Sequence, residues 1–512
     1  MHPRRPAYDL TLSSILQARA QDGAVLRAAP PVALAMIAMW ALVGTVFSSA
    51  QWGDHLEQFV WAHSVQWGYH KHPPLPTWLL AAAIALFGPS VESARALAVL
   101  CVLGTGLFTY LFARDLFDKK VASLTVLFWG LQHPFSHRCD LFNHNTVLML
   151  TISGAAWCTL RATRTPQLVR WWLAVGCLTG LSLLAKYQAV VPLIGVLLAL
   201  WLSGELRSAA VRLGAVLAVA VAMVIITPHI GWVVQHHLST LEYATQQGHS
   251  LAWFERGFNV AGFVAQQLRY LLPALLLGIL VHSASRWEAP GARVEPAPLV
   301  ARQRAWLLGL VAFPFLATLL TAPLLGLRLQ NHWGYQALQF VGLFFAWRLR
   351  DRLDLAKATW LVLALAVHGA FMALALQSAS SAPLLASAGR QDARYPAQQL
   401  ADAVRRDWQD DTSCPLAIVV GPQFEAGLVS VYNGGTAAVL EDGDFAKSPW
   451  ISRAELERSG AVYLAAEFAD LPSRRVTRVG SLDVSVAFTA PTQVYWAIVP
   501  PLECESPVSS PK

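Results

Sequence analysis

Up to about residue 380 the chain alternates long apolar runs with short polar islands. Most of the runs have the roughly 20-residue length that a bilayer core of about 30 Å asks of a helix. Spans are expected near 29–49, 89–112, 120–136, 141–160, 170–185, 187–203, 209–229, 258–282, 304–325, 333–347 and 358–378, eleven in all. The run 73–87 is shorter and opens on Pro73-Pro74, so it reads as a re-entrant or interfacial helix. Beyond about Ala382 the rhythm changes. Short β-like runs at 416–420, 429–432, 461–465 and 494–499 alternate with Gly, Pro, Asp and Arg, and 396–408 is helix-like. The expected architecture is an all-α polytopic membrane domain over 29–380, preceded by a cytoplasmic segment 1–28 and followed by a small outer α/β domain over 385–512. About 125 residues are enough for such a domain to hold its own core.

Composition supports the membrane reading. The chain of 512 residues is 55% hydrophobic and only 13% charged, against roughly a quarter charged for a soluble domain. That argues against a cytosolic enzyme or a nucleic-acid binder, and the net charge of +7 is explained by position instead. With the N-terminus inside, twenty Lys and Arg fall on the inner segments before residue 380 and seven on the outer side, which sets the orientation. An odd number of spans then puts the C-terminal domain outside. The residues before the first apolar run are too long and polar for the start of a cleavable signal, so the first span is expected to remain as an anchor. The six cysteines show no zinc spacing, and Cys414 and Cys504 in the outer domain are either a disulfide or two free thiols.

The same map collects the polar chemistry at one face. Twelve of fifteen histidines fall at outer span ends or in outer loops, with Asp54, Glu57, Lys71, Arg138, Asp140 and Lys186. Any one histidine is explained by tolerance of the interface, but ionisable groups beside an apolar core are costly unless they pair or line a wet cavity. The first outer loop, from Asp54 to Leu75, carries Trp61, Val65, Gly68 and Tyr69 at helical spacing and reads as an amphipathic surface helix. Asp54 and Glu57 lie three residues apart, on one face of it, where a carboxylate also serves as a helix cap.

Asp54, Gly68-Tyr69 and Pro73-Pro74-Leu75 stand in the order and spacing of the first outer loop of a known family. Arg138-Cys-Asp140-Leu-Phe resembles its second acidic motif, and Leu184-Ala-Lys186-Tyr187 its Lys-Tyr motif. The segment Pro228-His-Ile-Gly-Trp-Val-Val-Gln-His-His and the trio Asn331-His332-Trp333 are similar to its later elements. The chain therefore resembles the bacterial membrane glycosyltransferases of the dolichyl-phosphate-mannose protein mannosyltransferase superfamily, glycosyltransferase family 39, with their aminoarabinose transferase relatives and the GT-C fold. The resemblance covers about residues 30–350 and departs at Asp54-His55 and at Lys71-His72. Where relatives place an acid before Pro-Pro that helps hold a divalent metal, this chain has Lys71, which leaves metal dependence open, with Glu57 one helical turn from Asp54 as the alternative carboxylate.

The resemblance implies an inverting transfer of sugar from a polyprenyl phosphate to an acceptor hydroxyl at the periplasmic face of the bacterial inner membrane. Asp54 is expected as the base. Lys186, Arg138, Lys71 and His72 are expected on the phosphate, with Glu57, Tyr69, Asp140, Tyr187 and His332 as further substrate contacts. Asp140 reads equally as the partner of Arg138, and Tyr69, Tyr187 and Trp333 as interface aromatics. The expected partners are the lipid-linked donor, a lipid or glycan acceptor and membrane lipids, with no nucleic acid. The alternative from another class is a polytopic solute or lipid transporter, against which stand the absence of related halves and the gathering of ionisable residues at one face. A ligase or polymerase of similar lipid-linked sugars would lack the ordered Asp, Gly-Tyr and Pro-Pro-Leu series.

Overall fold

The computed structural model describes residues 29–45, 53–236, 253–284, 299–350, 363–373, 395–484 and 492–502. The expected N-terminal segment 1–28, the start of the first loop, the boundary near residue 385 and Cys504 lie outside them. Each of the eleven expected spans falls on a helix. These are α1 (Ala29–Thr45), α4 (Val91–Leu116), α5 (Lys119–Gly130), α6 (His144–Arg164), α7 (Val169–Ala185), α8 (Val190–Leu202), α9 (Ala209–Gln235), α10 (Trp253–Ala284), α11 with α12 (Ala301–Leu307 and Phe313–Leu324), α13 (Tyr335–Leu349) and α14 (Leu363–Ala373). Among the described residues four helical stretches, 92–116, 209–235, 254–283 and 301–321, are long and apolar enough to cross a bilayer.

Helix starts follow the polar residues that precede the apolar runs. Ser90 caps α4, Asp118 caps α5 and Asn143 caps α6, each side chain accepting from a backbone N–H of the first turn. The first outer loop forms two short helices, α2 (Gly53–Ala62) and α3 (Leu75–Phe87), with Pro76 in the first turn of α3. At 13 residues α3 is about 20 Å long, too short for a crossing, as expected of a re-entrant or interfacial segment. It packs against α2, α4, α6 and α7.

The helices close around the start of α6, the end of α7 and the start of α8. Gly195 of α8 and Gly309, in the π-helical turn Leu308–Ala312 between α11 and α12, bring two backbones into contact. A Cβ on Gly195 would stand 2.0 Å from the Gly309 carbonyl oxygen, and one on Gly309 2.2 Å from that of Gly195. Gly195→Ala therefore has to move backbone, and overpacking of this kind costs about 1–3 kcal/mol. A lower apparent melting temperature of the detergent-solubilised variant is the expected result.

Residues 395–484 and 492–502 form an α/β unit with helices α15 (Ala397–Asp411), α16 (Gln423–Tyr432) and α17 (Arg453–Ser459). Its five-stranded mixed sheet has the order β2-β1-β3-β5-β4, from β1 (Ile418–Gly421), β2 (Ala438–Glu441), β3 (Ala461–Ala465), β4 (Arg478–Val484) and β5 (Thr492–Val499). β1 runs parallel to β2 and β3, and β5 is antiparallel to β3 and β4. The run 429–432, expected as a strand, is the end of α16, because its apolar residues continue a helical face that starts at Gln423. Cys414 is disulfide-bonded. α16 lies on α2, where Gly427 meets Leu56 and Val60, so this unit rests directly on the first outer loop.

Candidate active site

A cavity of about 480 Å³ lies where α2, the loop before α3, the start of α6, the α7–α8 turn and the segment after α12 meet. Asp54, Glu57, Lys71, His72, Asn143, His144, Asn145, Lys186 and His332 supply its polar side, and Val191, Leu327 and Trp333 are apolar lining residues. Residues more than 270 positions apart in the chain thus share one wall.

Two asparagines at the start of α6 hold Asp54 and Lys186. Asn143 Oδ1 accepts from the backbone N–H groups of Asn145 and Thr146, capping α6, while its Nδ2 donates to Asp54 Oδ2 at 2.7 Å. The cap holds Asp54 beside a helix N-terminus, where the helix dipole favours a carboxylate. Two residues on, Asn145 Oδ1 accepts from Lys186 Nζ at 2.8 Å. Lys186 is where α7 stops: its extended backbone (φ −165°, ψ 137°) separates α7 from the 3-10 turn Tyr187–Ala189 that leads into α8. Burial lowers the Lys186 ammonium, opposed by attraction to Asp54 and Glu57, and leaves it at about 8. It is a cation held by a neutral amide and faced by two carboxylates, able to accept an incoming phosphate.

Lys71 is differently placed. Its Nζ lies 3.1 Å from Glu57 Oε2, 3.1 Å from Glu441 Oε1 and 2.7 Å from Gln423 Oε1, the last two from the α/β unit. Burial works against the ammonium, but Glu57 and Glu441 outweigh it and hold Lys71 above its ordinary range. Burial raises the carboxyl of Glu57 despite Lys71. Lys71 is therefore a partly buried bridge between loop and α/β unit as much as a cavity wall. Glu441→Gln removes one of the two carboxylates that lie 3.1 Å from Lys71 and is expected to lower the melting temperature.

Other expected residues are distributed around this centre. His72 and His332 line the cavity, and burial holds both well below the usual histidine range. Tyr187 lines it too, its hydroxyl 2.7 Å from His229 Nε2, and the other ring nitrogen of His229 lies 2.6 Å from the Trp67 carbonyl. Tyr69 lies outside this wall. It stacks on Trp61 at 4.9 Å, donates its hydroxyl to the Ser64 carbonyl and faces a second cavity of about 270 Å³ with Trp232 and Trp450. Arg138 and Asp140 are also absent from the lining residues. Asp140 is buried, and the charge of Arg138 contributes to lowering His332. Sequence reasoning did not single out Asn143, Asn145, Gln423 or Glu441. Asn143 before an apolar run was a readable capping signal; the pairing of the other three across the fold left no local signal.

The helices around this cavity, with the α/β unit seated on the first loop, share their fold with a solved GT-C structure. The chain is similar to ArnT from Cupriavidus metallidurans bound to undecaprenyl phosphate, with a TM-score of 0.57 at 14% identity over 94% of this chain and 99% of that one. The apo form of the same protein gives 0.51 at 16% identity over 91% and 97%. Residues 71–232 match the family described as dolichyl-phosphate-mannose-protein mannosyltransferase. Two proteins of Rhizobium johnstonii are similar in sequence. Lipid A galacturonosyltransferase RgtD is 25% identical over 249 residues, 47% of this chain and 51% of the relative. Lipopolysaccharide core galacturonosyltransferase RgtA is 27% identical over 183 residues, 35% and 36%. The chain spans about half or less of the length of these curated relatives. In fold, and in sequence over residues 71–232, the chain is similar to the membrane glycosyltransferases that its motifs resemble.

Proposed function

We propose that this protein transfers a sugar from a polyprenyl phosphate to an acceptor hydroxyl, with inversion at the anomeric carbon, at the periplasmic face of a bacterial inner membrane. The observation that carries the reading is that Asp54 and Lys186 line one cavity, tied to it by Asn143 and Asn145. Lys186 binds the donor phosphate. As the bond between C1 and the phosphate oxygen breaks, the electron pair goes to that oxygen, and an ammonium fixed in a partly dry site stabilises the charge better than water does. The acceptor oxygen forms its bond to C1 from the opposite side and gives its proton to Asp54, whose Oδ2 is already oriented by Asn143. Val191, Leu327 and Trp333 suit the first units of the prenyl chain.

The cation distribution along the sequence, with the eleven expected spans, supports a periplasmic position for this cavity and for the α/β unit. The names of the sequence relatives favour a uronic acid as the sugar and a lipopolysaccharide component as the acceptor. The test is a transfer assay on the purified protein with polyprenyl-phosphate galacturonate, and separately with polyprenyl-phosphate aminoarabinose, against lipid A and core oligosaccharide. A glycosylated product of inverted anomeric configuration is expected. Absence of product from both donors, together with solute or lipid movement in proteoliposomes, would replace the reading with a transporter.

A further inference from the structure

Glu57, His72 and His144 each offer a ligand atom, and the three atoms lie within 4.8 Å of one another on the cavity wall. His144 is the most informative of them. It is 4% exposed, the Pro73 carbonyl takes a hydrogen bond from its ring, and its Nε2 is buried without a hydrogen-bond partner. A histidine whose Nδ1–H is fixed by a backbone carbonyl presents Nε2 as a bare lone pair, the second contact that metal-ligating histidines make. The His72 ring lies 4.1 Å from that of His144, centroid to centroid. Glu57 gives Oε2 to Lys71, and a carboxylate with two oxygens retains acceptor capacity for an ion.

We propose that Glu57, His72 and His144 bind one divalent cation of the zinc class, with an open coordination position turned to the cavity. Two imidazoles and one carboxylate with a vacant fourth position form a donor set that suits zinc. Charge permits it: around the cluster stand the carboxylates of Asp54, Glu57 and Glu441 against the ammonium groups of Lys71 and Lys186. The site differs from one built on an acid before Pro-Pro, because that place is Lys71, whose ammonium is bonded to Glu57 and Glu441. The three ligand atoms lie within 4.8 Å of one another, and a closed tetrahedral zinc shell spaces its ligands by roughly 3.4 Å, so small side-chain movements would suffice to close on the ion. That the open position meets the donor phosphate rests on the proposed function; binding of the ion does not.

The experiment uses the full-length protein with its purification tag removed, stripped by chelator and exposed to Zn2+ or Co2+. One tightly held zinc per chain after desalting, a rise in melting temperature with zinc and a four-coordinate Co2+ absorption spectrum are expected. His144→Ala and Glu57→Gln should bind zinc at least about tenfold more weakly, while His236→Ala, outside the cluster, keeps it. Wild-type protein that retains no zinc and gives no such Co2+ spectrum overturns the site. So does a His144→Ala protein that melts like stripped wild type and binds zinc with wild-type affinity. A Co2+ spectrum that shifts when polyprenyl-phosphate sugar is added supports the phosphate contact, and one that stays fixed removes it while leaving the ion site in place.

Discussion

Asp54→Asn is expected to lower kcat by about 10²–10⁴-fold, the range a positioned general base contributes, with KM for the donor nearly unchanged. The amide is almost the shape of the carboxylate, and the capping bonds of Asn143 to the α6 backbone do not involve Asp54, so the cavity wall should persist. What is lost is the proton acceptor, a group needed in the transition state more than in the ground state. Steady-state kinetics with a defined donor check this, and equal turnover by the variant would remove Asp54 from the reaction.

Lys186→Ala is expected to weaken both donor binding and rate. A hydrogen bond to a charged group contributes about 1.5–3 kcal/mol, roughly tenfold or more in donor affinity, and loss of charge stabilisation in the transition state adds a fall in kcat. The same lysine predicts a pH dependence. Burial lowers it to about 8 against the pull of Asp54 and Glu57. Below that pH the ammonium is present; above it the free amine prevails. Donor affinity of the wild type should therefore hold at neutral pH and fall as pH rises through about 8, and the alanine variant should lack that fall. Binding measured with a polyprenyl phosphate across pH 6 to 10, a range chosen to bracket about 8, separates the two, and unchanged affinity in Lys186→Ala would exclude a phosphate role.

The helical scaffold was legible because bilayer length and apolar periodicity act locally, so each expected span coincides with a helix. Asp54 and Lys186 were legible as chemistry, from residue type and from the family pattern, but not as neighbours. Their approach depends on Asn143 and Asn145, whose side chains point to opposite partners from the first turn of α6. The readings of Lys71, Arg138 and Asp140 show the limit more sharply. Lys71 lines the cavity and also meets Gln423 and Glu441 about 350 residues away, a pairing that no periodicity encodes. Arg138 and Asp140 sit in a series of turns before α6 and are not among the residues that line the cavity.

Because Lys71 sits between Glu57 of the first loop and Glu441 of the sheet, separating the α/β unit from the helical bundle takes from Glu441 the cation that it pairs with. Thermal or denaturant melting should accordingly proceed as one cooperative event around that contact, and an excised sheet fragment would carry an acidic scar where its counter-ion used to be.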